Sequence, residues 1–333
     1  CDADMMATFD DIDLVAVADT NPEQLKDAPE GVETYANIDE MLANADINVV
    51  MVSTPNPSHP EMVKKAAAAK KHVICEKPAA MSVAEYDEMV AACEENGVIF
   101  TVHQQRRWDK DYRIMKEVYD KSMVGDMYII KSQLYGVNGN MHDWHIYPEM
   151  GGGMLYDWGV HLIDQMLDMV KSKIVSLYAD VQNVINENVD DYFKIIMKFE
   201  NGVTAEIELG TYYLTPKRAW FIGGNKGSAL IDGFAGEGKI VRTAHLLENV
   251  PGKITMTAAG PTRSFGPPEP GLLSEEPLPE VNVDHRNYFE HFLKAFNGEE
   301  DIIIKPEQVR RVLCVMDAVR ESAKTGKAIA FEE

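Results

Sequence analysis

A chain of 333 residues, 45% of them apolar, is long for one hydrophobic core and predicts two domains. Its formal net charge of -22 opposes binding to polyphosphate backbones, which rely on Lys and Arg, so nucleic acid is excluded as the expected partner. Cys1, Cys75, Cys93 and Cys314 are scattered without a CxxC spacing, so neither a zinc knuckle nor a disulfide framework is expected. No apolar stretch approaches the length of a membrane span, and the first residues lack the features of a signal peptide. The expectation is a soluble, cytoplasmic protein that binds no membrane.

In chain order, residues 12–18 (IDLVAVA) read as a buried parallel strand that ends at Asp19, with a polar helix-like stretch after Asn21-Pro22. Residues 49–53 read as a strand and 58–70 as an alanine-rich helix. Residues 72–75 form a further strand, 83–96 a helix stopped by Gly97, and 98–102 the next strand. Strands alternating with helices imply βαβ units in a doubly wound parallel sheet. After residue 103 a helix is expected near 110–121, and longer strands follow. Phe193, Ile195, Met197 and Phe199 alternate with polar residues except at Ile196, and Val203, Ala205, Ile207 and Leu209 alternate with Thr204, Glu206 and Glu208, which describes a half-solvated antiparallel hairpin. A three-residue loop, 200–202 with Gly202 left-handed, keeps both apolar faces together; a two-residue Asn-Gly loop would set Phe199 opposite Thr204. Residues 223–227 read as another hairpin turn. Residues 251–281, rich in Pro and Gly, read as an excursion at the sheet edge, and helices near 284–296 and 306–325 close the chain.

Two stretches carry chemistry. Cys75-Glu76-Lys77-Pro78 puts a lysine at the carboxyl end of a strand, the edge where an open α/β sheet binds ligands. The run from Gly151-Gly152-Gly153 to Asp164 places Asp157 and His161 four residues apart, on one face of a helix. With Thr54-Pro55-Asn56-Pro57-Ser58-His59-Pro60 between a strand and a helix, the order of parts resembles the glucose-fructose oxidoreductase / inositol dehydrogenase (Gfo/Idh/MocA) family over nearly the whole chain.

The resemblance implies an N-terminal Rossmann-type NAD-binding domain over residues 1–103. Residues 104–333 would form an α/β substrate and oligomerisation domain with a large, mostly antiparallel open sheet. The opening strand and GxGxxG turn of the dinucleotide fold are not found ahead of Asp19, so roughly 25 to 30 residues are expected to precede Cys1. Gly151-Gly152-Gly153 follows no strand of a βαβ unit and is not read as the phosphate loop. By resemblance these glycines permit close approach to substrate and cofactor.

The resemblance also assigns roles. Asp19 would accept the adenosine ribose hydroxyls, which favours NAD over NADP; read alone, it is equally a turn aspartate before Asn21-Pro22. Thr54, Asn56 and His59 would line the cofactor, although His59 alone reads as a helix-start histidine. Glu76 would accept the nicotinamide-side ribose, Lys77 would reach the reactive oxygen and stabilise an alkoxide, and Gln105 would lie near the nicotinamide. His161 is the candidate general base, with Asp157 orienting it or a substrate hydroxyl. Trp158 reads as packing and Asp164 as a surface or supporting contact. Trp144 and His145, in the loop from Asn138, would border the substrate, and where many relatives carry Trp-Arg this chain has Trp-His, which disfavours an anionic substrate.

A metal bound by Asp157, His161 and Asp164 with His142 or His145 is the rival for this helix. It is set aside because the remaining ligands would come from a loop and hydride transfer needs no metal. The expected function is an NAD(P)-dependent dehydrogenase acting on a polyol, sugar or sugar derivative, as a homodimer or homotetramer. The competing readings are a redox-neutral NAD-dependent glycosidase on the same scaffold and a non-catalytic nucleotide-binding sensor.

Overall fold

Parallel strands in the first hundred residues are built as the apolar runs demand. In the computed structural model, which describes residues 5–137, 142–247, 253–264 and 269–331, β1 (Ala16–Ala18) pairs in parallel with β2 (Glu33–Tyr35). A second parallel sheet holds β3 (Val49–Val52), β4 (His72–Cys75) and β5 (Phe100–Val102) in that order. Helices α1 (Ile38–Asn44), α2 (His59–Ala68) and α3 (Val83–Asn96) alternate with these strands. Asn37 caps α1 by accepting from Glu40 N, and Ser82 caps α3 by accepting from Glu85 N. Gly97, at φ +67°, ends α3 in the left-handed region as its position predicts.

The strand expected over 12–18 shortens to Ala16–Ala18, with Val15 adding only its carbonyl to Glu33 N. The helix expected after Pro22 reduces to a 3-10 turn, Gln24–Asp27. The Asp19 and Asn21 side chains accept from Asn21 N and Glu23 N at 2.7 and 3.1 Å, a local pairing that competes with a helix.

Beyond α4 (Lys110–Asp120) the chain builds a nine-stranded sheet from β6 (Met127–Tyr135), β7 (Ile174–Gln182), β8 (Tyr192–Phe199), β9 (Thr204–Gly210), β10 (Trp220–Gly224), β11 (Gly227–Ile231) and β12 (Gly238–Thr243). A hairpin, β13 (Lys253–Thr257) and β14 (Gly260–Ser264), precedes the edge strand β15 (Leu273–Glu276), and β16 (Ile329–Ala330) forms the other edge. The order is β15-β12-β11-β10-β6-β9-β8-β7-β16, antiparallel except for the parallel pair β6 and β9. The excursion expected over 251–281 therefore supplies one strand of the sheet.

Phe199 N bonds Val203 O, so the β8–β9 hairpin has the three-residue loop, with Gly202 at φ +89°. Phe193, Ile195, Met197, Ala205 and Ile207 are fully buried, and Leu209 nearly so. Helix α5 (Val160–Met169) packs on this inner face with α7 (Pro306–Thr325), and α6 (Arg286–Phe296) lies beside the turn after β5. Helix α7 also reaches the first unit: Tyr86 Oη donates to Pro306 O, and just ahead of the helix Ile304 O accepts from Thr101 Oγ1. The two units thereby share a seam along β5, and Asn56 and Lys77 carry it to the carboxyl edge of β3–β5.

Candidate active site

Three loops leave that edge side by side. The loop after β3 runs through Thr54 to His59, which begins α2. His59 is wholly buried, with Nδ1 3.0 Å from Pro78 O and Nε2 2.7 Å from Thr54 O. Burial lowers its pKa against the pull of those carbonyls. Expected at the cofactor, His59 turns both ring nitrogens to backbone carbonyls, one of which accepts its N–H, and it staples one loop to the next. Asn56, also buried, donates to Met150 O and Gly151 O at 3.2 and 3.4 Å and ties the first loop to the glycine run.

The three glycines admit the protein's own segments. A Cβ at Gly151 would lie 2.6 Å from Asn56 Nδ2, one at Gly152 2.2 Å from His145 O, and one at Gly153 2.3 Å from Asp190 Oδ1. Gly151 and Gly153 also have φ of +74° and +96°. Asp190 anchors the helix that follows, its Oδ2 accepting from Leu155 N at 2.7 Å and its carbonyl from Met154 N at 2.9 Å. Burial pushes its carboxyl up to about 6.

That helix opens with a π turn, Leu155–Gly159, before becoming α5 at Val160. The wider turn, of a kind frequent at functional sites, alters the plain α spacing expected between Asp157 and His161. Lys77 Nζ donates to Asp157 Oδ1 at 2.8 Å and to Asp157 O at 3.0 Å, bridging the EKP loop and the second unit. Both side chains remain partly open, at 19% and 25% exposure. His161 lies within reach of the Lys77 charge and is 3% exposed. Burial first, and then Lys77, Arg106 and His103, hold its pKa well below the ordinary imidazole value. Its Nδ1 pairs with Gln104 Oε1 at 2.9 Å. The amide oxygen accepts, so the proton sits on Nδ1 and Nε2 keeps the lone pair a base requires.

Sequence reasoning chose Gln105 and missed Gln104. Gln105 Oε1 and Gln104 Nε2 are both buried with no protein partner. His103 was missed as well; its Nδ1 lies 2.6 Å from Glu76 Oε1. Burial alone would raise the Glu76 carboxyl, but the His103 hydrogen bond, with help from Lys77, outweighs it and keeps Glu76 below the usual carboxylate value. The signal for this pair was strand register. Cys75 pairs with Val102, so the next residues on the two parallel strands, Glu76 and His103, stand opposite each other.

Of the two readings of Asp164, surface or supporting contact, the structure has the second. It is 2% exposed and takes both Arg107 Nε and Nη2 at 2.7 Å, so it does not join Asp157 and His161 as a ligand set. Trp158 lies under Arg106, whose guanidinium sits 4.0 Å from the ring centre. A cavity of about 190 Å³ adjoins this pair, lined by Trp158, Leu162, Gln165, Arg106, Asp111 and Phe234 among others. A larger cavity, about 320 Å³, lies near Cys93, Phe100 and Ile302, and neither cavity is lined by Lys77, Asp157 or His161.

Asp19 stands exposed at the end of β1, its Oδ1 engaged by Asn21 N. Thr54 is exposed, its hydroxyl bonded to Ser58. Trp144 and His145 stack at 3.7 Å, and the His145 carbonyl accepts from Gly153 N, so the pair borders the start of the helix. Residues 138–141 of their loop lie outside the described residues. Among the described residues, no helix is long and apolar enough to cross a membrane.

The residues present fit a dinucleotide. An exposed carboxylate ends β1, an ionised one ends β4, and unpartnered amide atoms of Gln104 and Gln105 follow β5, all at the carboxyl edge of parallel strands. Comparison with known proteins agrees. The family model described as "Oxidoreductase family, NAD-binding Rossmann fold" matches residues 3–104, and the "GFO/IDH/MocA C-terminal domain" matches residues 112–230. A solved NAD-binding protein from Listeria innocua is 31% identical with a TM-score of 0.91, covering 98% of this chain and 94% of that one. An uncharacterized oxidoreductase of Schizosaccharomyces pombe is 27% identical, covering 94% of this chain and 89% of its own. The scyllo-inositol 2-dehydrogenase (NADP(+)) of Bacillus subtilis is 24% identical, with 98% and 91% covered. The chain belongs to the Gfo/Idh/MocA family of oxidoreductases, with that family's NAD-binding Rossmann domain and C-terminal domain.

Proposed function

We propose that this dehydrogenase exchanges hydride between NAD and a carbinol carbon of a polyol, sugar or sugar derivative, with Lys77, Asp157 and His161 serving the reacting hydroxyl. The observation that carries the reading is the 2.8 Å bridge from Lys77 to Asp157, four residues ahead of a neutral, buried imidazole. When bound, the nicotinamide supplies the hydride acceptor at its C4.

The chain supplies the rest. Lys77 is held by Asp157 with one ammonium hydrogen to spare, and it stabilises the substrate oxygen as its charge develops. His161 accepts the hydroxyl proton at Nε2, because Gln104 occupies Nδ1. In the reducing direction the same imidazole returns it. Asp157, one oxygen of which holds Lys77, orients a neighbouring hydroxyl with the other. The cavity beside Trp158 receives the remainder of the substrate; its aromatic walls suit the apolar faces of a sugar ring and its polar groups suit hydroxyls.

On the cofactor side, Glu76, Gln105, Asn56, Thr54 and Asp19 line the path, with His59 fixing the loop. An exposed Asp19 carboxylate repels a 2′-phosphate, and NAD is favoured on that ground. The family's mostly antiparallel sheet would join subunits into a dimer or tetramer.

The test is a screen of the intact protein against polyols, aldoses, keto-sugars and aryl glycosides with NAD and with NADP, following reduced cofactor and released aglycone together. Net NADH from a free sugar or polyol supports the reading. Aglycone release without net NADH would replace it with the redox-neutral glycosidase, and biological activity intact in Lys77→Ala and His161→Ala would replace it with the sensor.

A further inference from the structure

His103 is 1% exposed, and its ring is wedged against Tyr288 and Phe289 of α6, with centroids 4.6 and 5.5 Å away. A phenyl ring would suit that apolar nest. The histidine makes one polar contact, from Nδ1 to Glu76 Oε1 at 2.6 Å, and leaves Nε2 buried without a partner. A buried polar atom with no partner carries a desolvation cost, which a residue present only for packing would not incur. The compensating gain lies in the Glu76 contact. Glu76 Oε2 accepts from Lys77 N at 3.2 Å, so both carboxylate oxygens are tethered while the side chain stays 21% exposed at the sheet edge.

Resting on the cofactor reading above, we propose that His103 is a positioning residue for the nicotinamide half of the dinucleotide: it fixes Glu76 as an aimed, ionised acceptor for the ribose hydroxyls on that side. The aim comes from the parallel register of β4 and β5 and the grip of α6 on the ring. An ionised carboxylate only accepts, which is what two vicinal hydroxyl donors need. The adenosine end, at β1, is independent of this pair.

The intact protein and its His103→Phe, His103→Asn and Glu76→Gln variants are titrated with NADH and separately with AMP, and thermal unfolding is recorded alongside. The Asn amide nitrogen stands the same number of bonds from Cα as Nδ1 and can restore the donor. Expected are an NADH Kd raised ~tenfold in His103→Phe, an Asn variant close to the unaltered protein, and AMP binding unchanged throughout. Combining His103→Phe with Glu76→Gln should weaken NADH no further than either alone. Unchanged NADH affinity in His103→Phe overturns the proposal, as do Phe and Asn variants that weaken alike. Should His103→Phe not fold, Asn and Glu76→Gln still decide: an Asn variant as weak as Glu76→Gln is a refutation. An unaltered protein that binds AMP but never NADH would remove the cofactor reading itself, a separate outcome from an NADH site indifferent to His103.

Discussion

Lys77 and His161 stand at different removes from solvent, and that difference sets what each substitution does. On the proposed mechanism, Lys77→Ala takes the ammonium away from the reacting oxygen, and His161→Asn takes away the proton acceptor. Each should lower kcat by roughly a hundredfold to ten-thousandfold with little change in NADH binding, measured by steady-state kinetics and titration. The imidazole also dictates the pH behaviour. Its folded pKa lies well below 6.5, so it remains an unprotonated base as pH falls through that value. The acid limb of kcat/KM for hydroxyl oxidation should therefore appear below the ordinary imidazole range. The same shift costs stability in acid. The unfolded chain takes up a proton at His161 near 6.5 while the folded one resists, so the contribution is whole above that pH and lost as pH falls toward the folded value. A third residue test concerns Asp19. Asp19→Ser relieves repulsion of a 2′-phosphate and should move the NADP to NAD ratio of kcat/KM upward, read in parallel assays.

At the scale of elements, the site depends on how one helix is held. Its start is gripped by Asp190, its middle is ion-paired through Asp164 to Arg107 after β5, and its glycine entry is packed against Asn56 and His145. Gly153→Ala would force a Cβ onto Asp190 Oδ1 at a left-handed φ, and should destabilise by about 1–3 kcal/mol in denaturant unfolding while lowering kcat. Arg107→Met strands the Asp164 carboxylate in the core and should cost about 3–5 kcal/mol, the larger loss of the two. Elements were legible in proportion to their periodicity. The β8–β9 hairpin, alternating at every position but Ile196, was placed to its loop length. The π turn at Leu155–Gly159 left no trace in a mostly apolar run that fits a plain helix, and the turn after Pro22 was misjudged because side-chain acceptors on Asp19 and Asn21 displaced helix bonds.

For the whole molecule, the outer face of the nine-stranded sheet carries Tyr178 opposite Ile196, with Tyr178 at 40% exposure, in one cross-strand row with Glu206 and Lys131, which pair at 2.9 Å. Light scattering on the intact protein should give a dimer or tetramer, and Tyr178→Glu with Ile196→Glu should shift it toward monomer without loss of fold. The sequence by itself determined that parallel units come before an antiparallel sheet, the most periodic strands and helices within each, and which stretches, around Lys77 and from Gly151 to Asp164, carry the family resemblance. Periodicity and motif spacing are local quantities, and the chain states them outright. Only the tertiary structure decided that His103 faces Glu76, that Gln104 and not its neighbour holds His161, that His59 is a staple, and that Asp164 is buried. Each of those depends on strand register or on an approach between residues dozens of positions apart, where burial and a partner's charge change a side chain's role without altering its letter in the sequence.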